Sequence, residues 1–206
     1  MAYPTTVAAA VEGDVDEAVL TRLADAAGLS VYPVHGRQGK QFLRQRMAGY
    51  NRAAAHFPWV VLVDLDHDAS CAPELRFDWV SQPASLLSFR VAVRAVEAWL
   101  IADQDRFARF LGISRARLPS DVEGLSDPKA AVVQLAAQSN SRRTREDIVP
   151  RPSSGRKTGP LYSARLTEFT RDVSNGWRPD VAAERCDSLS RCLRDLWRLR
   201  EVLEEL

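Results

Sequence analysis

Apolar residues come in short runs through the first half of the chain, and stretches with helical spacing separate these runs. Apolar runs bounded by turn-forming or charged residues are typical of strands, whereas apolar residues three or four positions apart are typical of helices. The runs predict four strands, at residues 6–11, 29–34, 59–63 and 85–93. The helical spacing predicts helices at residues 15–27, 43–54 and 94–111. This alternation favours an α/β fold with a mostly parallel sheet of four or slightly more strands, flanked by helices.

The third run is the most informative one, because all five residues from Trp59 to Val63 are apolar. A strand of this type is buried on both faces, which predicts a central position in a parallel sheet covered by helices. Pro33 has no backbone N–H and therefore predicts that the second strand lies at an edge of the sheet or ends near this residue.

The second half of the chain predicts helices without strands. Asp127-Pro128 is a typical helix start, with Asp as the cap and Pro at the first helical position, and a helix at 130–138 follows. Residues 139–160 contain three prolines and six basic side chains and predict a basic loop. Helices follow from Tyr162, and the last one has Leu at three- and four-residue steps. We therefore expect an α/β core at residues 1–112 and a helical carboxyl-terminal extension at 113–206 that packs on it.

Length and composition are those of a globular protein with one sizeable core, since 46% of the 206 residues are hydrophobic and 27% are charged. No apolar run reaches the roughly 18 residues that span a bilayer, and no export signal is visible, so we expect no membrane contact and a cytoplasmic location. Cys71, Cys186 and Cys192 lack the paired spacing of a zinc site and predict reduced, buried thiols. The net charge of +1 excludes no class of binding partner.

Acidic residues follow three of the predicted strands. Glu12 follows the first strand, Asp64, Asp66 and Asp68 follow the third, and Glu97 lies just after the fourth. The carboxyl ends of parallel strands meet at one edge of a sheet, where open α/β sheets bind ligands. Carboxylates brought together there can share a divalent cation, and such a cation neutralises charge during phosphodiester cleavage. The alternative is a solvated acidic turn at 64–68 and a helix-start acid at Glu12.

The order of Glu12-Gly13 after the first strand and Asp64-Leu65-Asp66 after the third resembles the Toprim domain of topoisomerases, primases and overcoming-lysogenization-defect nucleases. The wider pattern, with residues 96–103 and 159–162, resembles a bacterial Toprim-like family of unknown function that is often paired with an ATPase in phage defence. The resemblance implies a nuclease dependent on Mg²⁺ or Mn²⁺. It implies Asp64 and Asp66 as metal ligands and Glu12 as a ligand or general acid/base, and we add Asp68 as a metal candidate and Glu97 as a catalytic candidate.

Basic residues are candidates for contacts with nucleic acid. Nuclease members of the Toprim group commonly use a basic residue in the transition state, and Lys157, Arg156 and Lys40 are the candidates here. The turn at 36–40 lacks the spacing of a nucleotide-binding phosphate loop, but Arg37 and Lys40 at a helix start can hold a backbone phosphate. The predicted basic loop adds candidates that would make binding depend on salt: Arg142, Arg143, Arg156 and Lys157.

The leading hypothesis from the sequence is a Toprim-like, metal-dependent nuclease acting on DNA or RNA. A second hypothesis is a catalytically silent module of the same type that binds nucleic acid or an ATPase partner. A phosphatase of the haloacid-dehalogenase type ranks last, because its paired aspartates follow the first strand and give Glu12 no role. The last helix is expected to pack in the core, and the alternative is a docking surface for a partner or for a second copy in a homodimer.

Overall fold

A computed structural model describes residues 5–205, and it confirms an α/β fold with a four-stranded, all-parallel sheet flanked by helices. Residues 1–4 and 206, at the ends of the two predicted segments, lie outside the described part of the chain. The strand order is β2-β1-β3-β4. The strands are β1 (Thr5–Val11), β2 (Leu29–Gly36), β3 (Trp59–Asp64) and β4 (Leu87–Ala92).

The position of each strand follows from its residues. Every residue of β3 is buried, and β3 pairs with β1 on one side and with β4 on the other. The strand that contains Pro33, β2, lies at an edge, as its missing N–H predicts. In the sheet register, Val11 lies beside Leu62, and Asp64 lies beside Ala92. The carboxyl ends of β1, β3 and β4 therefore form one continuous edge.

Helices follow the strands and then make up the rest of the chain. The first five helices belong to the predicted α/β segment, and their chain order confirms strand–helix alternation. The α-helices are α1 (Asp14–Ala26), α2 (Lys40–Ala53), α3 (Ala72–Trp79), α4 (Val96–Ala102), α5 (Gln104–Leu111), α6 (Pro128–Ala137), α7 (Arg142–Ile148), α8 (Tyr162–Arg171), α9 (Pro179–Ala183) and α10 (Asp187–Glu204).

Two hydrophobic clusters cover the two faces of the sheet. Alternate residues of β1 and β3 point to opposite faces, as the two-residue period of a strand requires. The smaller cluster packs under α2 and α3. The larger cluster lies under α1 and the remaining helices, and it joins Trp99 of α4 to Trp177 and Leu189 of the carboxyl-terminal half. One core thus contains residues from both predicted segments.

The prediction of a loop at residues 139–160 is wrong for residues 142–148, which form α7. Ser141 caps this helix, because its hydroxyl accepts a hydrogen bond from the backbone N–H of Thr144 at 3.2 Å. Arg142 pairs with Glu146 and Arg143 with Asp147, each four residues apart, which supports one helix face. The charges that indicated a loop are thus the surface of a short helix.

Three further expectations need correction. The helix predicted at 94–111 is two helices, α4 and α5, because Asp103 leaves the helical conformation and caps α5. The segment between the third and fourth strands, for which no helix was predicted, forms the eight-residue α3. Cys71 is exposed, whereas the other two thiols are buried, and all three are free. None of the helices between residues 5 and 205 has the length and apolar character needed to cross a membrane.

Candidate functional site

Five carboxyl side chains converge at the carboxyl edge of the sheet, and we name them the acid cluster: Glu12, Asp16, Asp64, Asp66 and Glu97. Glu12 directly follows β1, Asp64 ends β3, and Glu97 lies in the first turn of α4, which begins after β4. Since β3 lies between β1 and β4, these positions are neighbours at one edge. Asp16 lies one helical turn after Glu12, in the first turn of α1.

Hydrogen bonds to the backbone hold Glu12 and Asp64 in place. The Asp64 N–H donates to Oε1 of Glu12 at 2.8 Å, which fastens the end of β1 to the end of β3. Oδ1 of Asp64 accepts a hydrogen bond from the backbone N–H of Val96 at 2.9 Å, which fastens β3 to the start of α4. Because these bonds use backbone donors, the two carboxyl groups are fixed by the sheet itself.

Two lysines contact the aspartates that follow β3. Nζ of Lys129, at the start of α6, lies 2.8 Å from Oδ2 of Asp64. Nζ of Lys40, at the start of α2, lies 3.1 Å from Oδ2 of Asp66 and 2.6 Å from Oδ2 of Asp68. Asp64 is almost fully buried, whereas the Lys129 side chain is 45% exposed. One lysine therefore reaches the buried acid from the solvent side.

Asp66 has a left-handed backbone, with φ of 49°. Asp tolerates this conformation better than most residues with a side chain. The turn lets the Asp66 N–H donate to the carbonyl oxygen of Arg94 at 2.8 Å, while the Arg94 guanidinium donates to the Asp66 carbonyl oxygen at 2.8 Å. The reciprocal pair fixes the loop after β3 against the residues after β4.

Glu97 and Asp16 are buried and each has a carboxyl oxygen without a hydrogen-bond partner. Oε1 of Glu97 accepts a hydrogen bond from the hydroxyl of Tyr162 at 3.1 Å, and the Tyr162 side chain is itself buried. Oε2 of Glu97 and Oδ1 of Asp16 are inaccessible to solvent and contact no donor among residues 5–205. Buried acceptors are normally satisfied, so these two oxygens indicate an absent partner.

Burial and mutual repulsion raise the pKa values of four carboxyl groups, those of Glu12, Asp16, Asp64 and Glu97. Desolvation, followed by the charge of Asp64, raises the pKa of Glu12 to about 7. Burial and the charge of Asp64 likewise raise the pKa of Glu97 to about 7. The pKa of Asp16 is raised by burial and then by the charges of Asp64 and Glu12. Carboxyl groups that share a site and have pKa values near 7 are typical of functional sites.

The charges of the acid cluster also change the pKa of Lys129, which contacts Asp64. Burial alone would lower the pKa of Lys129, but the charges of Asp64 and Glu97 outweigh it and raise this pKa above its usual range. Burial raises the pKa of Asp64 even though Lys129 opposes the change. The negative potential of the site thus exceeds what one ammonium group offsets.

The residues of the acid cluster fit a hard divalent cation in their chemistry. Carboxylate oxygens are the ligands that Mg²⁺ and Mn²⁺ prefer, and the unpartnered oxygens of Asp16 and Glu97 are two such donors. Within the described chain, no three His, Cys, Asp or Glu side chains stand together in a geometry ready to hold a metal ion. Lys129 and Lys40 occupy oxygens of Asp64, Asp66 and Asp68 instead.

Only some of the basic residues predicted for nucleic-acid contact lie at this edge. Lys157 lines a cleft of about 660 Å³ together with Asp66, Arg94 and Lys129, and we name this space the cleft. Arg142 lines a separate depression with Arg145 and Arg151, and Arg156 lines a third with Pro150. Arg143 on α7 is exposed and pairs with Asp147. The structure therefore brings Lys157, and not the arginines of α7, to the acid cluster.

The glycine-flanked turn before α2 packs against the end of β1. A Cβ at Gly36 would lie 2.2 Å from the carbonyl oxygen of Val11, so only Gly fits there. The N–H groups of Arg37 and Gly39 donate to the carbonyl oxygens of Val11 and Glu12, at 2.9 and 3.0 Å. Arg37 pairs with Glu17 of α1, which is not part of the acid cluster. Of the two predicted phosphate contacts, only Lys40 reaches the acid cluster.

Asp16 and Lys129 belong to the site although the sequence reasoning did not select them. Asp16 lies in the first turn of α1, four residues after Glu12, and the start of this helix brings it to the same edge. Lys is rare in this chain: it occurs only at positions 40, 129 and 157, among 28 basic residues. Since all three contact the acid cluster or line the cleft, the scarcity of Lys was the available signal.

Comparison of the chain with models of protein families, with curated proteins and with solved structures gives no match. The class that the fold and the site define is therefore an α/β protein with a parallel sheet and a lysine-bridged acid cluster at its carboxyl edge.

Proposed function

We propose that the protein cleaves phosphodiester bonds of DNA or RNA in a reaction that depends on Mg²⁺ or Mn²⁺. The observation that carries the proposal is the acid cluster with its two unpartnered buried oxygens, on Asp16 and Glu97. A buried carboxylate without compensation is costly, and a bound cation removes this cost for several carboxylates together. A purely structural edge of a sheet does not require two unpartnered carboxyl oxygens beside the buried Asp64.

Glu12, Asp64 and Asp66 would hold the cation, with Asp16 and Glu97 completing the negative site. A bound Mg²⁺ or Mn²⁺ would neutralise charge on the reacting phosphate and on the leaving oxygen. The alternative role for Glu12 is that of general acid/base without a metal contact, since its pKa, raised to about 7 by burial and by Asp64, suits it to accept and return a proton near neutral pH. Tyr162 would keep Glu97 oriented through its hydrogen bond to Oε1.

The lysines supply positive charge where a phosphate would approach. Lys129 reaches Asp64 from solvent and keeps nearly half of its side chain exposed, so it can contact a phosphate oxygen at the same edge. Lys157 lines the cleft beside Asp66, and its ammonium group adds to the attraction for a polyanion. Lys129 is thus our candidate for the basic residue that stabilises the transition state, in place of Arg156 and alongside Lys40 and Lys157.

Metal titration combined with a cleavage assay tests the proposal. In the variant Asp64→Asn/Asp66→Asn, the amide of residue 64 can still accept the Val96 hydrogen bond, and Asn tolerates the left-handed backbone at 66. We expect calorimetry to show saturable Mn²⁺ binding in the unchanged protein and none in the variant. Cleavage of DNA or RNA should fall by more than about 100-fold.

A matched control removes two carboxylates elsewhere. Asp78 and Asp105 are exposed and form surface ion pairs with Arg44 and Arg115. The variant Asp78→Asn/Asp105→Asn should keep metal binding and cleavage. Retained cleavage in the Asp64→Asn/Asp66→Asn variant, or absence of metal binding in the unchanged protein, would contradict the proposal.

One observation favours a second candidate function, a catalytically silent module that binds nucleic acid or an ATPase partner. Lys129 and Lys40 already neutralise Asp64, Asp66 and Asp68, so the site needs less external charge than a fully exposed acid cluster. In this case the titration gives no saturable metal binding, whereas nucleic acid or the partner still binds. The same experiment therefore separates the two functions.

A further inference from the structure

A second pocket, of about 360 Å³, lies beside the cleft and is rich in arginine. We name it the arginine pocket. Its walls come from the residues after β3, from α3, from β4 and from the start of α10. Four arginines line it: Arg76, Arg90, Arg94 and Arg191. Guanidinium groups from several elements around one pocket are typical of phosphate recognition.

The acidic residues of the arginine pocket are already engaged. Glu123 accepts hydrogen bonds from the backbone N–H groups of Asp187 and Ser188, at 3.0 and 2.9 Å, and so caps α10. Asp187 pairs with Arg191 on the same helix, at 2.7 Å. Neither carboxylate is therefore free to neutralise Arg76.

Two of the arginines have unmet interactions. Arg90 is more than nine-tenths buried and pairs with Asp195, yet its Nε contacts no acceptor within residues 5–205. The Arg76 side chain is exposed to solvent and makes no hydrogen bond or ion pair within the same range of the chain. Desolvation and the neighbouring charge of Arg90 lower the pKa of Arg76, while the charge of Asp195 opposes this change, so the two guanidinium groups lie near each other and near one carboxylate. An anion is the missing partner that this arrangement fits.

Arg94 connects the arginine pocket to the acid cluster. Its side chain lines both the arginine pocket and the cleft, and it donates to the carbonyl oxygen of Asp66. Leu65, between the two aspartates of the acid cluster, also lines the arginine pocket. A chain with regularly spaced phosphates can therefore follow one path from the cleft, past Arg94, into the arginine pocket.

We propose that the arginine pocket binds a phosphate of the substrate strand adjacent to the phosphodiester that is cleaved at the acid cluster. The substrate is then a nucleic-acid strand of at least two nucleotides, and apolar residues such as Pro73 and Val91 offer a surface for its base or sugar. The inference rests on the proposed function for the position of the cleaved bond. The phosphate contact itself does not depend on cleavage.

Binding of a single strand, measured without metal, tests the inference. The variant Arg76→Ala/Arg191→Ala removes two exposed guanidinium groups and leaves Arg90 and Arg94 in their structural contacts. Fluorescence anisotropy with a labelled oligonucleotide of about 12 nucleotides is recorded over a range of NaCl concentrations in the presence of a chelator. We expect weaker binding and a salt slope smaller by about 0.7 for each lost phosphate contact.

The control Arg115→Ala/Arg117→Ala removes the same charge from an exposed turn that does not line the arginine pocket. It should leave the salt slope unchanged. Hydrolysis of bis(p-nitrophenyl) phosphate with Mn²⁺, measured on the unchanged protein, tests the proposed function separately, because this substrate has only one phosphate. Equal strand binding and equal slopes in the two double variants would overturn the inference, as would absence of strand binding by the unchanged protein.

If strand binding responds as expected but Mn²⁺ supports no hydrolysis, the proposed function fails, whereas phosphate binding by the arginine pocket is supported.

Discussion

At the scale of single residues, the choice between Lys and Arg is the clearest functional signal in this protein. Lys40, Lys129 and Lys157 are the only lysines, and each contacts the acid cluster or lines the cleft. The ammonium group of Lys is compact and can contact several oxygens from one point, whereas the planar guanidinium of Arg suits paired contacts such as that of Arg178 with Asp103. The site thus uses the cation that fits between crowded carboxylates.

The raised pKa values of Glu12 and Glu97 predict that the metal-free protein loses stability as pH rises. Their pKa values are about 7 in the folded state, compared with 4.5 for an unperturbed Glu. Between these values the folded state holds more protons than the unfolded state, so the free energy of unfolding falls with increasing pH. The Glu12→Gln variant lacks this titration. From pH about 5.5 to pH about 8, its free energy of unfolding should therefore rise by about 2 kcal/mol relative to that of the unchanged protein. Urea unfolding at both pH values, with a chelator present, measures this change.

Glu184→Gln is the matched control, because Glu184 is an exposed residue at the end of α9. Its effect on stability should be small and equal at the two pH values. A difference between Glu12→Gln and the unchanged protein that is the same at both pH values would contradict the raised pKa of Glu12.

At the scale of elements, predictions from sequence succeeded where one local signal was sufficient. Four strands and the helix start at Asp127-Pro128 have clear patterns, and the Asp127 carboxylate does cap α6 by accepting from the N–H of Ala130. The break between α4 and α5 has no such pattern, because Asp103 leaves the helix to meet Arg178, a residue 75 positions away. Contacts of this kind depend on packing and are not visible in local sequence.

Asp103 is predicted to be a stabilising residue at this junction. It is fully buried, caps α5, and accepts hydrogen bonds from the backbone N–H and the guanidinium of Arg178. Asp103→Ala should lower the free energy of unfolding by about 2–3 kcal/mol, less than a fully buried pair because Arg178 is partly exposed. Denaturant unfolding measures the loss, and Asp105→Ala, which removes only a surface pair, should change it by less than about 0.5 kcal/mol. Equal losses in the two variants would refute this role.

At the scale of the whole molecule, the acids that follow strands could be predicted to meet, because the topology of a parallel sheet brings their positions together. Asp16, Lys129 and the arginine pocket could not, since each depends on how helices pack on that sheet. Lys129 reaches Asp64 only because α6 packs beside α4. Tyr162 reaches Glu97 only because the start of α8 lies over the same edge. Local sequence patterns thus predict the sheet, but they do not predict the residues that helix packing adds to the candidate site.

The shared core predicts that the first 112 residues do not fold alone. The larger hydrophobic cluster takes side chains from the carboxyl-terminal half, and each such buried group contributes about 1.5–3 kcal/mol. Among them are Ile148, Leu166, Phe169, Trp177 and Leu189. Their combined loss is comparable with the about 5–15 kcal/mol that stabilises a typical domain.

Unfolding followed by Trp fluorescence and by far-ultraviolet circular dichroism should therefore give one coincident transition for residues 1–206. A fragment of residues 1–112 should show no cooperative transition. A native-like, cooperative fragment would instead support two independently folding segments.

The acid cluster begins with Glu12, yet its last partners, Lys129 and Tyr162, come from far along the chain. During synthesis the ribosome delivers residue 12 early and residue 162 late, so a partly made chain has the acids without the lysine and tyrosine that complete their surroundings. Premature termination upstream of α6 leaves a product that lacks Lys129 altogether. The arrangement therefore makes the surroundings of the acids depend on synthesis of the chain at least as far as Tyr162.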